Sequence, residues 1–302
     1  MAQYSIKDLE RISSQKAHTI RIWEQRYRLL EPERTDTNIR FYDDQQLKKL
    51  LNVCMLMTHG MKISHISKLS KSELAQEIDK IIVQSFQSDQ HVEVIINQAL
   101  IAVATYDQVL FDQLFSNSVK RFGLVKTYVN IVYPLLVRTG LMWIKDDMLP
   151  AQEHFFSNLI KQKLYAAIDA LPLPESSDQS WILFLNEKED HEIGLLFSYY
   201  LIRQYGKKAV YLGQRVPYAD LSDVVLQCKP THIYTFFTVN PNGGELIDLV
   251  DKLTEDFGSC GVYISGGDLK VAEITQKKGA RMIYTIENLI QILSEHNESG
   301  KK

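Results

Sequence analysis

The chain has 302 residues, 45% of them hydrophobic and 24% charged, with 14 glycines and 8 prolines. That length suits two or three domains, and the composition excludes collagenous, low-complexity and disordered chains. The net charge of −3 hides an asymmetry: residues 1–70 hold 12 Lys and Arg against 8 Asp and Glu, and the rest is acidic, so the head is the part suited to meet an anion.

No apolar run approaches the ~18 residues that a membrane span needs. The N-terminal MAQYSIKDLERI lacks the apolar core of a secretory leader. Cys54, Cys228 and Cys260 are scattered without a CxxC spacing, against a disulfide framework or a cysteine zinc site. A soluble, cytoplasmic protein without a membrane partner is expected.

Ser5 and Asp8 have capping-box spacing before a short helix whose apolar stripe is Ile6, Leu9 and Ile12. Ser13-Ser14-Gln15 breaks it, and a second helix is expected from about His18 to Tyr27. Ile20, Trp23 and Tyr27 cover one of its faces; His18, Arg21, Ile22 and Gln25 lie opposite, with Arg26 on the flank. Two short helices joined by a tight turn make a helix-turn-helix. From Leu29 to Tyr42 a proline, a Thr-Asp-Thr-Asn turn and an aromatic close read as a small hairpin, or wing, with Arg34 and Arg40 flanking its tip. Asp43 then caps a helix carrying Leu47, Leu50, Leu51 and Met55. Gly60 stops it, and a short helix over Ile63 to Leu69 follows.

The run His18-Thr19-Ile20-Arg21-Ile22-Trp23-Glu24-Gln25-Arg26-Tyr27, then Leu29-Leu30, Pro32, Arg34 and Arg40-Phe41-Tyr42, resembles the MerR-type transcriptional regulators over about residues 4–70. The departures are Lys16 at the customary N-cap serine and a wing without the usual glycines. The resemblance implies binding to double-stranded operator DNA. His18, Thr19, Arg21, Arg26 and Tyr27 from the recognition helix, with Arg34, Arg40 and Tyr42 from the wing, are the candidate contacts.

Residues 73–170 show helical spacing only: Val92, Ile95, Ile96, Ala99 and Leu100; Val109, Leu110, Leu114 and Phe115; Leu124, Val125, Val129, Ile131 and Val132; then a helix from about Pro150 to Leu171. Four helices imply a bundle. Residues 171–180 are a proline- and serine-rich linker. Beyond it strands at Trp181–Leu185, Ala209–Leu212, His232–Phe237, Gly261–Ile264 and Arg281–Tyr284 alternate with helices at Ile193–Gln204, Tyr218–Gln227, Gly244–Phe257, Leu269–Lys278 and Ile286–Glu295. That alternation predicts a five-stranded parallel, flavodoxin-like sheet, whose ligands bind outside the carboxyl ends of the strands. The expected fold is therefore multidomain: a winged helix-turn-helix over 1–72, a helical bundle over 73–172 and an α/β, Rossmann-like domain over 180–298.

The loop after the first of these strands holds Glu189-x-His191-x-x-Gly194, where a carboxylate can orient an imidazole toward a metal. It resembles the cobalamin-binding motif (Asp or Glu)-x-His-x-x-Gly. A Ser-x-Thr usually follows after about forty residues, then Gly-Gly; here Phe236-Phe237-Thr238 and Gly266-Gly267 stand at those spacings. Phe236 replaces a serine that in this family helps seat the nucleotide tail of the cofactor, and Thr235 is the neighbouring hydroxyl. Trp143-x9-Glu153-His154 matches the bundle that caps the upper face of cobalamin in regulators of the CarH/LitR kind.

This resemblance implies a cobalamin-controlled regulator, with His191 as the ligand to cobalt and adenosylcobalamin as the cofactor. It also implies Trp143, Glu153 and His154 on the upper face, a homo-oligomer (dimer or tetramer) that forms with the ligand, and release of DNA by light. Some members carry a histidine directly after the bundle tryptophan; this chain has Ile144. Cobalamin enzymes share the C-terminal motif, but a catalytic barrel of ~250 residues does not fit before the linker, so no enzyme is expected. The alternative is a MerR-type regulator that keeps the scaffold and answers to a protein partner or another ligand.

Overall fold

The Ser5–Asp8 box forms as the spacing predicts: Ser5 N–H donates to Asp8 Oδ2 at 2.7 Å and Asp8 N–H to Ser5 Oγ at 3.2 Å. It opens α1 (Ile6–Ser13), which is followed by α2 (Ala17–Tyr27), β1 (Glu33–Arg34), β2 (Arg40–Phe41), α3 (Asp44–Thr58) and α4 (Ile63–Ile66). The computed structural model describes residues 4–13, 15–34, 38, 40–58, 60–85, 92–144, 148–174, 177–237, 243–266 and 279–294. Two compact units emerge, Met1–Asn158 and Leu159–Lys302.

In the first unit β1 and β2 pair antiparallel, with Arg34 opposite Arg40, and Tyr4 bridges to Tyr42 to tie the chain start to the wing. Asp43 Oδ1 accepts the N–H of Gln46 at 2.8 Å, the cap that starts α3. The helical part comprises α5 (Lys71–Ser85), α6 (Val92–Ala104), α7 (Gln108–Thr127), α8 (Tyr133–Ile144) and α9 (Pro150–Asp169), with a π-helical turn at Tyr128–Val132. Gly123, at φ 78° and ψ 162°, breaks the α7 helix near its end.

The expected boundary after residue 72 is not a gap in packing. Ile78, Val94 and Ala104 share one apolar cluster with Leu9, Trp23, Leu50 and Leu56 of the head. Polar bonds cross the same seam. Tyr4 donates its hydroxyl to Ala104 O at 3.3 Å, and buried Gln98 donates to Asn52 Oδ1 at 3.2 Å. Lys48 reaches Asp107 at 2.7 Å. Such a seam arises because the apolar faces of the head helices are wider than the head alone can cover, so the bundle completes their burial.

The second unit contains β3 (Ser180–Asn186), α10 (Ile193–Gln204), β4 (Lys208–Val216), α11 (Tyr218–Cys228), β5 (His232–Phe237), α12 (Gly243–Asp256), β6 (Gly261–Gly266), β7 (Arg281–Ile283) and α13 (Ile286–Ser294). The expected helix Leu269–Lys278 lies outside the described residues. The five strands pair in parallel in the order β4-β3-β5-β6-β7. This is the flavodoxin-like order, with the crossover at β3.

Trp181 to Leu185 are all buried, as a strand covered on both faces requires. Near the amino end of the sheet Trp181 stacks on His232, centroids 4.2 Å apart. Burial, reinforced by Arg281, pushes the His232 imidazole down to about 4, so it is neutral packing material.

Asp107 combines two duties: it caps α7, accepting the N–H of Leu110 at 3.0 Å, and pairs with Lys48. Burial alone would raise its carboxyl; the bonds from Lys48 and Leu110 outweigh that and hold it below the usual range. Asp107→Ala is expected to cost about 0.5–2 kcal/mol from the cap alone. Lys48→Met, which keeps the cap, should cost less. Chemical denaturation of both variants checks the order.

Candidate functional site

Helix α2 presents the sequence-expected face. Ile20 and Trp23 are buried and Tyr27 half-buried, while His18, Arg21, Ile22, Gln25 and Arg26 are exposed and Thr19 half-buried. Lys16 is the N-cap and makes no side-chain cap bond, consistent with the loss of the customary serine. Arg34, exposed on β1, bonds Asn38 at 2.5 Å. Arg28, which the sequence reading passed over, is exposed at the left-handed C-cap of α2 and adds a cation to the same stretch.

Two wing residues are placed otherwise than expected. Tyr42 is fully buried, so it is no outward contact; its hydroxyl donates to Glu24 in the middle of α2. Arg40 is 30% exposed, and its Nε lies buried 3.5 Å from the same carboxylate. The physical reason is Glu24, whose side chain is 7% exposed and draws in a cation and a phenol from the wing. Burial, and then the Glu24 carboxylate, push the Tyr42 phenol well above its ordinary range. No periodicity marks Glu24, because a carboxylate inside a recognition helix reads as one more solvated charge.

In the second unit the loop from Asn186 to Glu192 turns out of β3 at its carboxyl end. Glu189 is 5% exposed, and its Oε1 accepts both the backbone N–H of His191 at 2.9 Å and the ring Nδ1 at 2.6 Å. The imidazole, 57% exposed, is thereby oriented with Nε2 turned away from the carboxylate, the arrangement found for metal-ligating histidines.

Two further anchors hold the loop. Asp190 takes a two-pronged bond from Arg215, with Nη2 at 2.6 Å, which holds its carboxyl below the usual range. Glu192, buried, accepts the Tyr211 hydroxyl at 3.0 Å and faces Lys161 at 3.6 Å. Neither Arg215 nor Tyr211 carries a local signal, since both come from β4.

On β5, alternate residues face opposite sides of the sheet. Tyr234 bonds Ser198 of α10, so Phe236 faces α10 as well. Ile233 and Phe237 pack with Leu221 and Val250 on the other side. Thr235, between them in register, is fully buried with an Oγ1 that has no hydrogen-bond partner. It therefore does not stand in for a hydroxyl at position 236.

Phe236 lies over Gly194. A Cβ added there would sit 2.9, 3.0 and 3.2 Å from three atoms of its ring. Gly266, at φ +81°, passes so close to Phe237 O that a Cβ would lie 1.8 Å from it, so that strand end admits only glycine. Thr238 and Gly267 lie outside the described residues.

Glu153 and His154 belong to the first unit, on the first turn of α9. His154 Nδ1 meets Glu153 at 2.8 Å, and His154 is 72% exposed. Gln152 fixes that turn: its Oε1 accepts the N–H of Leu149 at 3.0 Å and its Nε2 donates to Ala104 O at 2.7 Å. Trp143 lies on α8, and its side chain falls outside what the structure describes.

Residues 4–73 match the MerR HTH family regulatory protein family, and residues 95–168 match the B12 binding domain family. The head thus matches the MerR helix-turn-helix family and the helical part the B12 binding domain family, ahead of a five-stranded Rossmann-like sheet. It is 27% identical over 255 residues to the HTH-type transcriptional repressor CarH of Myxococcus xanthus, covering 83% of this chain and 84% of that protein. With the repressor CarA of the same organism it shares 26% over 230 residues, 74% of this chain and 73% of CarA.

Among solved structures, the Methanosarcina barkeri monomethylamine corrinoid protein superposes with a TM-score of 0.52 at 14% identity, covering 63% of this chain and 92% of that one, a likeness of fold. No helix among the described residues is long and apolar enough to cross a membrane.

The Glu24 junction yields a test. Tyr42→Phe removes a bond to a buried carboxylate, and roughly 1.5–3 kcal/mol of stability should go with it. The melting temperature of the full chain should fall accordingly.

Proposed function

We propose that this chain is a DNA-binding transcriptional regulator whose response is set by a corrinoid ligated through His191. The observation that carries the reading is the Glu189–His191 pair at the carboxyl end of β3, in a chain whose other end exposes Arg21 and Arg26 on a recognition helix. Glu189 keeps the proton on Nδ1 and leaves Nε2 to meet cobalt. A bound corrinoid would supply the cobalt centre and, in an adenosylated form, a light-sensitive upper ligand.

The protein's own residues do the rest. Glu153 and His154 are the candidate groups for the upper ligand, and Arg21, Arg26 and Arg34 for DNA. Control then requires only that the ligand favour one assembly of a homo-oligomer over another, since a ligand shifts an equilibrium by its differential affinity. The similarity to repressors over most of the chain supports regulation rather than catalysis.

A second reading, a regulator that keeps the scaffold for another ligand, draws on the Phe236 ring over Gly194.

The test of the ligand is spectroscopic. A corrinoid carrying an adenosyl upper ligand, mixed with the chain in the dark, should survive gel filtration, and His191→Ala should lose the histidine-ligated spectrum and most of the retained corrinoid. An unchanged spectrum and affinity in the variant would sink the assignment. On illumination the photoproduct should show no lasting bis-histidine spectrum, because Ile144 offers no donor atom.

The test of the head is a titration against DNA from the chain's own upstream region. Arg21→Ala should weaken binding by about 1–3 kcal/mol if it reads a base edge. Its melting curve should not change, since the side chain is exposed.

A further inference from the structure

The axial donor fits a corrinoid, but the space beside it does not fit a cobalamin. In cobalamin the nucleotide tail ends in a base that can ligate its own cobalt from below. When a protein histidine takes that position, the tail is displaced and needs room of its own. Gly194, three residues after His191 and in the first turn of α10, has no side chain and so leaves a gap between that helix and the end of β5. Here the gap is filled: three atoms of the Phe236 ring lie within 2.9–3.2 Å of where a Cβ on Gly194 would be.

No hydroxyl faces the gap from position 235, because Thr235 points to the opposite side of the sheet and is fully buried. Below Phe236 on the same face, the Tyr234 hydroxyl is already committed, donating to Ser265 at 2.6 Å and receiving from Ser198 at 3.3 Å. The wall offers a displaced phosphate and ribose neither space nor an uncommitted polar partner at these positions.

We propose that Phe236 is a specificity residue that closes this unit to the nucleotide tail, so that the corrinoid the chain selects is one without a tail, of the cobinamide class. The inference rests on His191 as the corrinoid ligand and narrows the ligand that it takes. The Glu189–His191 pair serves a tail-less corrinoid as well as a complete one, since cobalt in cobinamide lacks an internal base and takes its lower nitrogen from the protein.

The experiment titrates the full-length chain with aquocobalamin and, separately, with diaquocobinamide. Binding is followed by absorption and by retention through gel filtration, for the wild type and for Phe236→Ser. The wild type should bind cobinamide at least tenfold more tightly than cobalamin. Phe236→Ser should shrink that ratio by tenfold or more, through tighter cobalamin binding with cobinamide little changed.

Equal affinities in the wild type, or a preference for cobalamin, overturn the proposal and leave His191 as a corrinoid ligand. Binding of neither corrinoid by either protein overturns the His191 reading and this inference with it. If the serine variant fails to fold, Phe236→Ala takes its place, because cobinamide has no internal base to displace and only the change of ratio in a variant isolates the tail.

Discussion

A buried carboxylate holding an exposed imidazole is the constraint on which the C-terminal site depends. Glu189 has almost no contact with water, and its Oε1 takes both the backbone and the ring N–H of His191. Desolvating a carboxylate is costly unless hydrogen bonds compensate, and the bond to the His191 ring is one of those that do, which favours this rotamer. The carboxylate thus converts a surface histidine into a directed one. The fork from Arg215 to Asp190 and the Tyr211 bond to Glu192 fix the backbone on either side, and each anchor reaches in from β4. The loop can therefore sit at the edge of the sheet without the mobility that would blur the aim of the imidazole.

The head uses the same device for a different end. Glu24 projects from the recognition helix toward the wing, and both Tyr42 and Arg40 are drawn onto it. A two-residue hairpin strand has little stability of its own. Here the wing is secured by this junction and by the bridge between Tyr4 and Tyr42. The arginines of α2, its C-cap and β1 that Glu24 does not claim, Arg21, Arg26, Arg28 and Arg34, are exposed. Specific recognition by guanidinium groups needs a rigid support, and a helix locked to its wing supplies one.

Head and bundle are bound into one core, and the carbonyl of Ala104 is a meeting point of that seam. Tyr4 from the head and Gln152 from the start of α9 both donate to it. Glu153 and His154 follow Gln152 directly, so the turn that carries the candidate ligand-facing pair is fastened to the atom that also holds the head. A displacement at that turn has a short physical route to the helices of the head, which a flexible linker between independent domains would not offer.

Much of this was legible in the sequence. Continuous apolar runs mark strands buried on both faces, and β5 and α10 fall at the expected residues, His232–Phe237 and Ile193–Gln204. The apolar stripe of α2 places Ile20 and Trp23 inside and Arg21 outside, because helical periodicity is a local property. The spacing of Glu189, His191 and Gly194 likewise locates the candidate ligand, since these residues share one loop and helix start.

What only the tertiary structure decided are the long-range pairings. Tyr42 is buried because Glu24 lies eighteen positions before it, Phe236 covers Gly194 because β5 packs against α10, and Ala104 joins the head because the bundle completes its core. Local patterns report which side of an element is apolar. Which distant side chain fills the space opposite is set by chain packing, and packing is where this protein departs from the motif it carries.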